Sequence, residues 1–186
     1  MEDEVSTGKQ QLRHRLLQWR RDVSARTRAD MSQAICAHLM GWSAFQRAHA
    51  VVAYTPLGAE ADPTHAVENA RAAGISIFVP NWQDGAIEFV DDKSTRSPDT
   101  ERSDLLMLVP GVAFDLRGAR LGRGEGWYDR ALSRFAGAVR AGIAFEGQIL
   151  QRLPEEPWDV PMHFLVTERR VLAVNERSDV MEGHQR

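Results

Sequence analysis

The chain has 186 residues, 43% hydrophobic and 26% charged, the composition of one soluble globular domain. Its net charge of −3 and isoelectric point near 6.1 give no general attraction for nucleic acid or anionic lipid, so any anion affinity must come from a local cluster. No apolar run reaches the roughly 18 residues of a spanning helix, and the acidic opening "MEDEVSTGKQ" lacks the apolar centre of a secretory signal, which together predict a cytoplasmic protein.

From Lys9 to Val23 the apolar residues Leu12, Leu16, Trp19 and Val23 recur at spacings of four, three and four, the stripe of a helix. At about 100° per residue, Lys9, Arg13 and Arg20 fall within roughly 40° of one another and form a basic ridge beside that stripe. Such a trio is either a solvated face or a set of anion contacts. A second helix is predicted over Thr27 to Met40, and Cys36, among Met31, Ile35 and Leu39, reads as a buried thiol without a chemical role.

The short run "AVVAY" then reads as a buried strand followed by the loop "TPLG", and "PTHAVENARAAG" as a helix started by Pro63 and stopped by Gly74. "ISIFVP" is a further strand, "AIEFV" a short one, and "DDKSTRSPDTERSD" an exposed loop. "LLMLVPG", "AVRAGIAF" and "HFLVTE" complete the strands, with the Pro-rich loop "LPEEPWDVP" before the last. Apolar strands alternating with helices imply an α/β fold: a largely parallel sheet with helices on both faces. The pattern predicts a single domain over residues 8–174 between polar tails at 1–7 and 175–186.

The densest stretch is "RLGRGEGWYDR", residues 120–130, placed between a buried strand ending at Pro110, a turn at Asp115 to Gly118 and a helix starting near Trp127. In open α/β sheets, ligands collect at the carboxyl ends of strands. Gly122, Gly124 and Gly126 would let the backbone approach an anion, with Arg120 and Arg123 adding charge. The spacing is neither a dinucleotide fingerprint nor a P-loop, so on spacing alone phosphate binding competes evenly with an ordinary tight turn. Asp129 is either a partner of the helix dipole or a Mg²⁺ ligand beside a polyphosphate. Glu60, just after a strand, is either a site residue or a solubility residue.

Four stretches together resemble the 5-formyltetrahydrofolate cyclo-ligase family. They are Lys9, Arg13 and Arg20 on the first helix; "YTPLGAE" with Tyr54, Pro56, Gly58 and Glu60; "VPGVAFDLRGARLGRGEGWYDRAL"; and "DVPMHFLVTE". The resemblance implies a fold akin to the sugar-phosphate isomerase and CoA-transferase group. It also implies ATP-dependent closure of 5-formyltetrahydrofolate, polyglutamylated or not, to 5,10-methenyltetrahydrofolate with release of ADP and phosphate.

The same resemblance implies the residue roles. Lys9, Arg120 and Tyr128 would be catalytic, and ATP would be held by Lys9, Arg13, Arg120, Gly122, Arg123, Gly124, Glu125, Gly126, Trp127 and Tyr128. Tyr54, Leu57, Glu60 and Trp127 would take the folate, and Asp129 and Asp159 would hold Mg²⁺. The partner would be a small molecule, neither nucleic acid nor membrane, and the chain a monomer. Two features depart from the family pattern: the segment "NWQDGAIEFVDDKSTRSPDTERSD" is shorter and lacks a Gly-Ile-x-Glu-Pro element that walls the folate pocket, and the loop carries Glu125 and Trp127. The alternative left open is an ATP- and Mg²⁺-binding paralogue that acts on another formyl or carbonyl compound, or binds folate without turnover.

Overall fold

A computed structural model describes residues 2–83, 86–91 and 96–174, with side chains from Gly8 onward. The helices are α1 (Glu2–Asp22), α2 (Ala25–Gly41), α3 (Ser43–Gln46), α4 (Thr64–Ala72) and α5 (Trp127–Leu132). The strands are β1 (Ala50–Val52), β2 (Ser76–Gln83), β3 (Ala86–Asp91), β4 (Leu105–Pro110), β5 (Ala113–Asp115), β6 (Arg120–Leu121), β7 (Val139–Ile143), β8 (Ile149–Leu150), β9 (Phe164–Val166) and β10 (Val171–Ala173).

Seven strands form the central sheet in the order β10-β9-β7-β4-β1-β2-β3. The four inner pairings of this sheet, from β9 to β2, are parallel, and only the edge strands β3 and β10 run antiparallel to their neighbours. Both faces are buried, and β4 shows why its run of apolar residues is unbroken. Leu106 and Leu108 pack with Ile35, Leu39 and Phe145 on one face, whereas Leu105, Met107 and Val109 pack with Phe89, Leu132 and Phe135 on the other. A period-2 chain between two covered faces must be apolar at every position.

Several boundaries differ from those expected of the sequence. Residues 2–7, expected as part of a polar tail, belong to α1, while the tail expected at 175–186 lies outside the described residues. β2 extends to Gln83 because it pairs antiparallel with β3 along its length, a partner that local propensity does not reveal. The turn expected at Asp115 to Gly118 is present, and the strands it joins, β5 and β6, pair with β8 in a small second sheet, β6-β5-β8, that was not expected. Its organiser is Asp115, fully buried, whose Oδ1 accepts from the amides of Arg117 and Ala119, both at 2.9 Å, and whose Oδ2 accepts from Leu153 at 2.8 Å.

This small sheet matters because α1 packs on it. Leu12, Leu16 and Leu17 join Val112, Ala113, Ala119, Leu121, Leu150 and Leu153 in a satellite core beside the main one. Cys36 is buried, as expected, with its thiol at 3.4 Å from the Asp62 carbonyl, and burial raises its pKa. Among the described residues no helix is long and apolar enough to cross a membrane.

Candidate active site

The strand order reverses direction at the middle of the sheet: from β1 the chain goes to β2 on one side and later returns to β4 on the other. A crevice is expected beyond the carboxyl ends of two such strands. The cavity found there has a volume of about 950 Å³ and takes Thr55, Leu57 and Glu60 from the loop after β1 and Pro110, Gly111 and Val112 from the end of β4. Its other sides are α1, the loop from β6 into α5, the outer half of β2 and the Pro-rich loop.

Of the residues expected to form a site, every one lines this cavity except Tyr54. Tyr54 is 5% exposed, and its hydroxyl donates to the Ala61 carbonyl at 2.5 Å. It therefore ties the loop that carries Leu57 and Glu60 rather than offering a surface to a ligand. Burial raises its pKa far above the usual phenol range.

The ridge on α1 is not a solvated face. Lys9 and Arg20 are 7% and 3% exposed, because the helix lays that edge against the small sheet and the cavity. Each cation meets an oxygen. Lys9 Nζ lies 2.7 Å from Glu156 Oε2 and 3.3 Å from Asp159 Oδ2, while Arg13 Nε donates to the Gly122 carbonyl at 2.9 Å. Arg20 Nη1 donates to the Gly111 carbonyl at 3.3 Å, and Nη2 stands 3.7 Å from Glu60 Oε1. Burial lowers the Arg20 pKa, and Glu60 opposes that shift.

The glycine-rich loop supplies the facing wall. Gly126 has φ +65° and hands the chain into α5, a left-handed position that a Cβ disfavours. Arg120 Nη2 pairs with Asp129 Oδ2 at 2.7 Å, and its guanidinium lies 5.6 Å from the centre of the Tyr128 ring. Burial raises the Tyr128 pKa despite Arg120, so its hydroxyl keeps its proton as a donor. Arg120 Nε and Asp129 Oδ1 are both buried without a hydrogen-bond partner. Both residues line the cavity, where such groups can be satisfied by a polar ligand.

Arg123 Nη2 bridges to Glu60 Oε1 at 2.8 Å, and Glu60 Oε2 accepts from the Leu57 amide at 3.0 Å. The cavity is thus lined by five cations (Lys9, Arg13, Arg120, Arg123, Arg130) and five carboxylates (Glu60, Glu125, Asp129, Glu156, Asp159). Glu125, exposed to water, is the carboxylate whose charge is most screened.

The rim is aromatic. Leu57, Trp82, Trp127 and Trp158 are the exposed large apolar side chains among the described residues, and all four line this cavity. Trp82 and Trp127 meet edge-on with ring centres 4.5 Å apart. Exposed apolar groups gathered on one concavity mark a binding surface. Sequence reading missed Trp82, Glu156 and Trp158. A tryptophan at the outer end of a strand was the available signal for Trp82, and an acid three residues before Asp159 for Glu156.

Fold and site together define an α/β protein with a cation-lined, aromatic-rimmed cleft at a topological switch point. The model of the 5-formyltetrahydrofolate cyclo-ligase family matches residues 5–168, and the chain belongs to that family. A 5-formyltetrahydrofolate cyclo-ligase of Mycolicibacterium smegmatis is 29% identical over 191 residues, which cover 90% of this chain and 97% of the relative. One from Escherichia coli K12 is 26% identical over 176 residues, covering 83% and 97%. The structure of Aquifex aeolicus 5,10-methenyltetrahydrofolate synthetase matches with a TM-score of 0.79 at 28% identity, over 95% of this chain and 98% of that one. The synthetase of Mycoplasma pneumoniae matches with a TM-score of 0.75 at 26% identity, over 86% and 98%.

Proposed function

We propose that this chain closes 5-formyltetrahydrofolate to 5,10-methenyltetrahydrofolate at the expense of ATP, in the cleft just described. The observation that carries the reading is the convergence on one cavity of two cation-bearing elements, α1 and the Arg120 to Gly126 loop, opposite an aromatic rim. A polyphosphate would meet the first two and a pterin with its p-aminobenzoate ring the third. In the reaction the formyl oxygen takes the γ-phosphoryl group, N10 attacks the activated carbon, and the oxygen departs with the phosphate, leaving ADP and the methenyl ring.

Phosphoryl transfer is governed by positioning and by charge neutralisation. Lys9 is buried and preoriented by Glu156 and Asp159, so it would present a point charge to the transferring oxygens without reorganising. Arg120 would do the same from the opposite wall, and the protonated Tyr128 hydroxyl would donate a hydrogen bond. Glu60 would accept from the pterin edge, and Leu57, Trp82 and Trp127 would cover the rings.

The residues also fit a divalent cation. Asp129 Oδ1 is buried and unpartnered, and Asp159 lines the same cavity. That is the donor set of Mg²⁺, which uses one or two carboxylates and completes its shell with phosphate oxygens and water. Five cations already balanced by five carboxylates leave little spare charge for a triphosphate, which favours delivery of the nucleotide with its metal. Mg²⁺ bound there would neutralise charge developing on the phosphoryl oxygens. Asp159 is the weaker donor, since its Oδ2 already serves Lys9 and the Glu156 amide.

Mixing the protein with Mg-ATP and 5-formyltetrahydrofolate tests the reading. The near-ultraviolet absorption band of the methenyl product is expected to appear only when all three are present. ATP binding with no methenyl product at any folate concentration would overturn it in favour of a paralogue with a different carbonyl substrate.

A further inference from the structure

Glu60 is held from two sides by guanidiniums of opposite character, both directed at the same oxygen. Arg123, 51% exposed on the glycine-rich loop, lies 2.8 Å from Oε1. Arg20, 4% exposed on α1, lies 3.7 Å from the same atom and is anchored by its bond to the Gly111 carbonyl. The Glu60 side chain is itself only 8% exposed. A carboxylate so buried needs a counter-charge in every state of the site.

An exposed ion pair is weak and exchanges with other anions, whereas a buried pair is little screened and its partners have no water to replace one another. A phosphate group in the cleft would compete for Arg123 and leave Glu60 with Arg20 alone. We infer that Arg20 is a positioning residue: it holds the Glu60 carboxylate at the substrate edge while Arg123 is drawn away by the nucleotide. This rests on the cyclo-ligase reading for the identity of the substrate. Arg20 itself does not line the cavity, so it acts through Glu60 and touches no ligand.

A double-mutant cycle on 5-formyltetrahydrofolate affinity, measured by calorimetry with a non-hydrolysable ATP analogue at saturation and with ATP titrated alone in parallel, tests the inference. Arg20→Met is expected to weaken folate binding at least about tenfold, as for loss of one partner of a buried charge pair, with ATP affinity near that of the parent. Arg20→Lys, which keeps the charge, should recover part of the loss. In a Glu60→Gln background, where there is no carboxylate to position, Arg20→Met and Arg20→Lys should add little further loss. Equal losses in both backgrounds, or reduced thermal stability with unchanged folate affinity, would overturn the inference. If Arg20→Met does not fold, Arg20→Lys carries the same cycle. Folate binding without methenyl formation would overturn the cyclo-ligase reading while leaving the cycle decisive for Arg20, and absence of folate binding by the parent chain would overturn both.

Discussion

Tyr54 and Lys9 stand on opposite sides of the line between holding a site together and working in it. The Tyr54 hydroxyl satisfies a loop carbonyl inside the protein, so Tyr54→Phe is expected to lose about 1–3 kcal/mol of stability with the KM for folate held. Thermal melts and steady-state kinetics separate this from a direct contact, which would raise KM and leave the melting temperature alone. Lys9→Ala removes a preoriented charge facing the cleft, and kcat/KM for ATP should fall about 10²-fold. An unchanged value would remove Lys9 from the nucleotide site. For Asp129→Asn, the Mg²⁺ dependence of the rate should move to higher concentration as an anionic donor becomes neutral. If the two titration curves overlay while stability falls, Asp129 serves only Arg120 and the helix.

At the scale of elements, the outer half of β2 takes on part of the wall that the short segment between β2 and β4 was expected to leave open. Trp82 projects from it onto the rim and meets Trp127 of α5. Trp82→Ala should raise the KM for 5-formyltetrahydrofolate with little change in kcat, since a covering surface contributes uniform binding. Steady-state kinetics at saturating ATP reads this directly.

The elements differ in how far the sequence discloses them. α1, α2, α4 and the parallel strands follow from apolar spacing, because each answers to a core that repeats with the element's own period. The small sheet does not, since β5, β6 and β8 are two or three residues long and depend on Asp115 to join the amides of its own turn to that of the distant Leu153. Most site residues were legible because they lie in one glycine-rich run and one helix edge. Glu156 and Trp158 were not, because only the tertiary fold brings their loop against Lys9.

For the whole molecule, two phenols, Tyr54 buried and Tyr128 partly so, contribute to its behaviour in alkali. Burial raises the pKa of both Tyr54 and Tyr128 above the ordinary value of 10.0. The unfolded chain therefore gives up these protons first, and the stability they support is complete below about pH 10 and declines as pH rises beyond it. Tyr54→Phe removes one of the two. Its stability should fall less steeply in that range, by up to about 1.4 kcal/mol per pH unit, as measured by denaturant unfolding at successive pH values.

The attachment of α1 has a consequence for motion. Its leucines sit in the satellite core with the small sheet, while Lys9 and Arg13 reach the cleft. Trp19 is the part of the helix that packs on the main core, so the rest of α1 is expected to loosen before the main sheet opens, and a nucleotide bridging α1 to the glycine-rich loop would staple it down. In amide hydrogen exchange, Mg-ATP should slow exchange along α1 and the Arg120 to Gly126 loop while β1, β4 and β7 keep the rates of the free protein. Equal slowing in all of them would mean that α1 opens only when the whole domain unfolds.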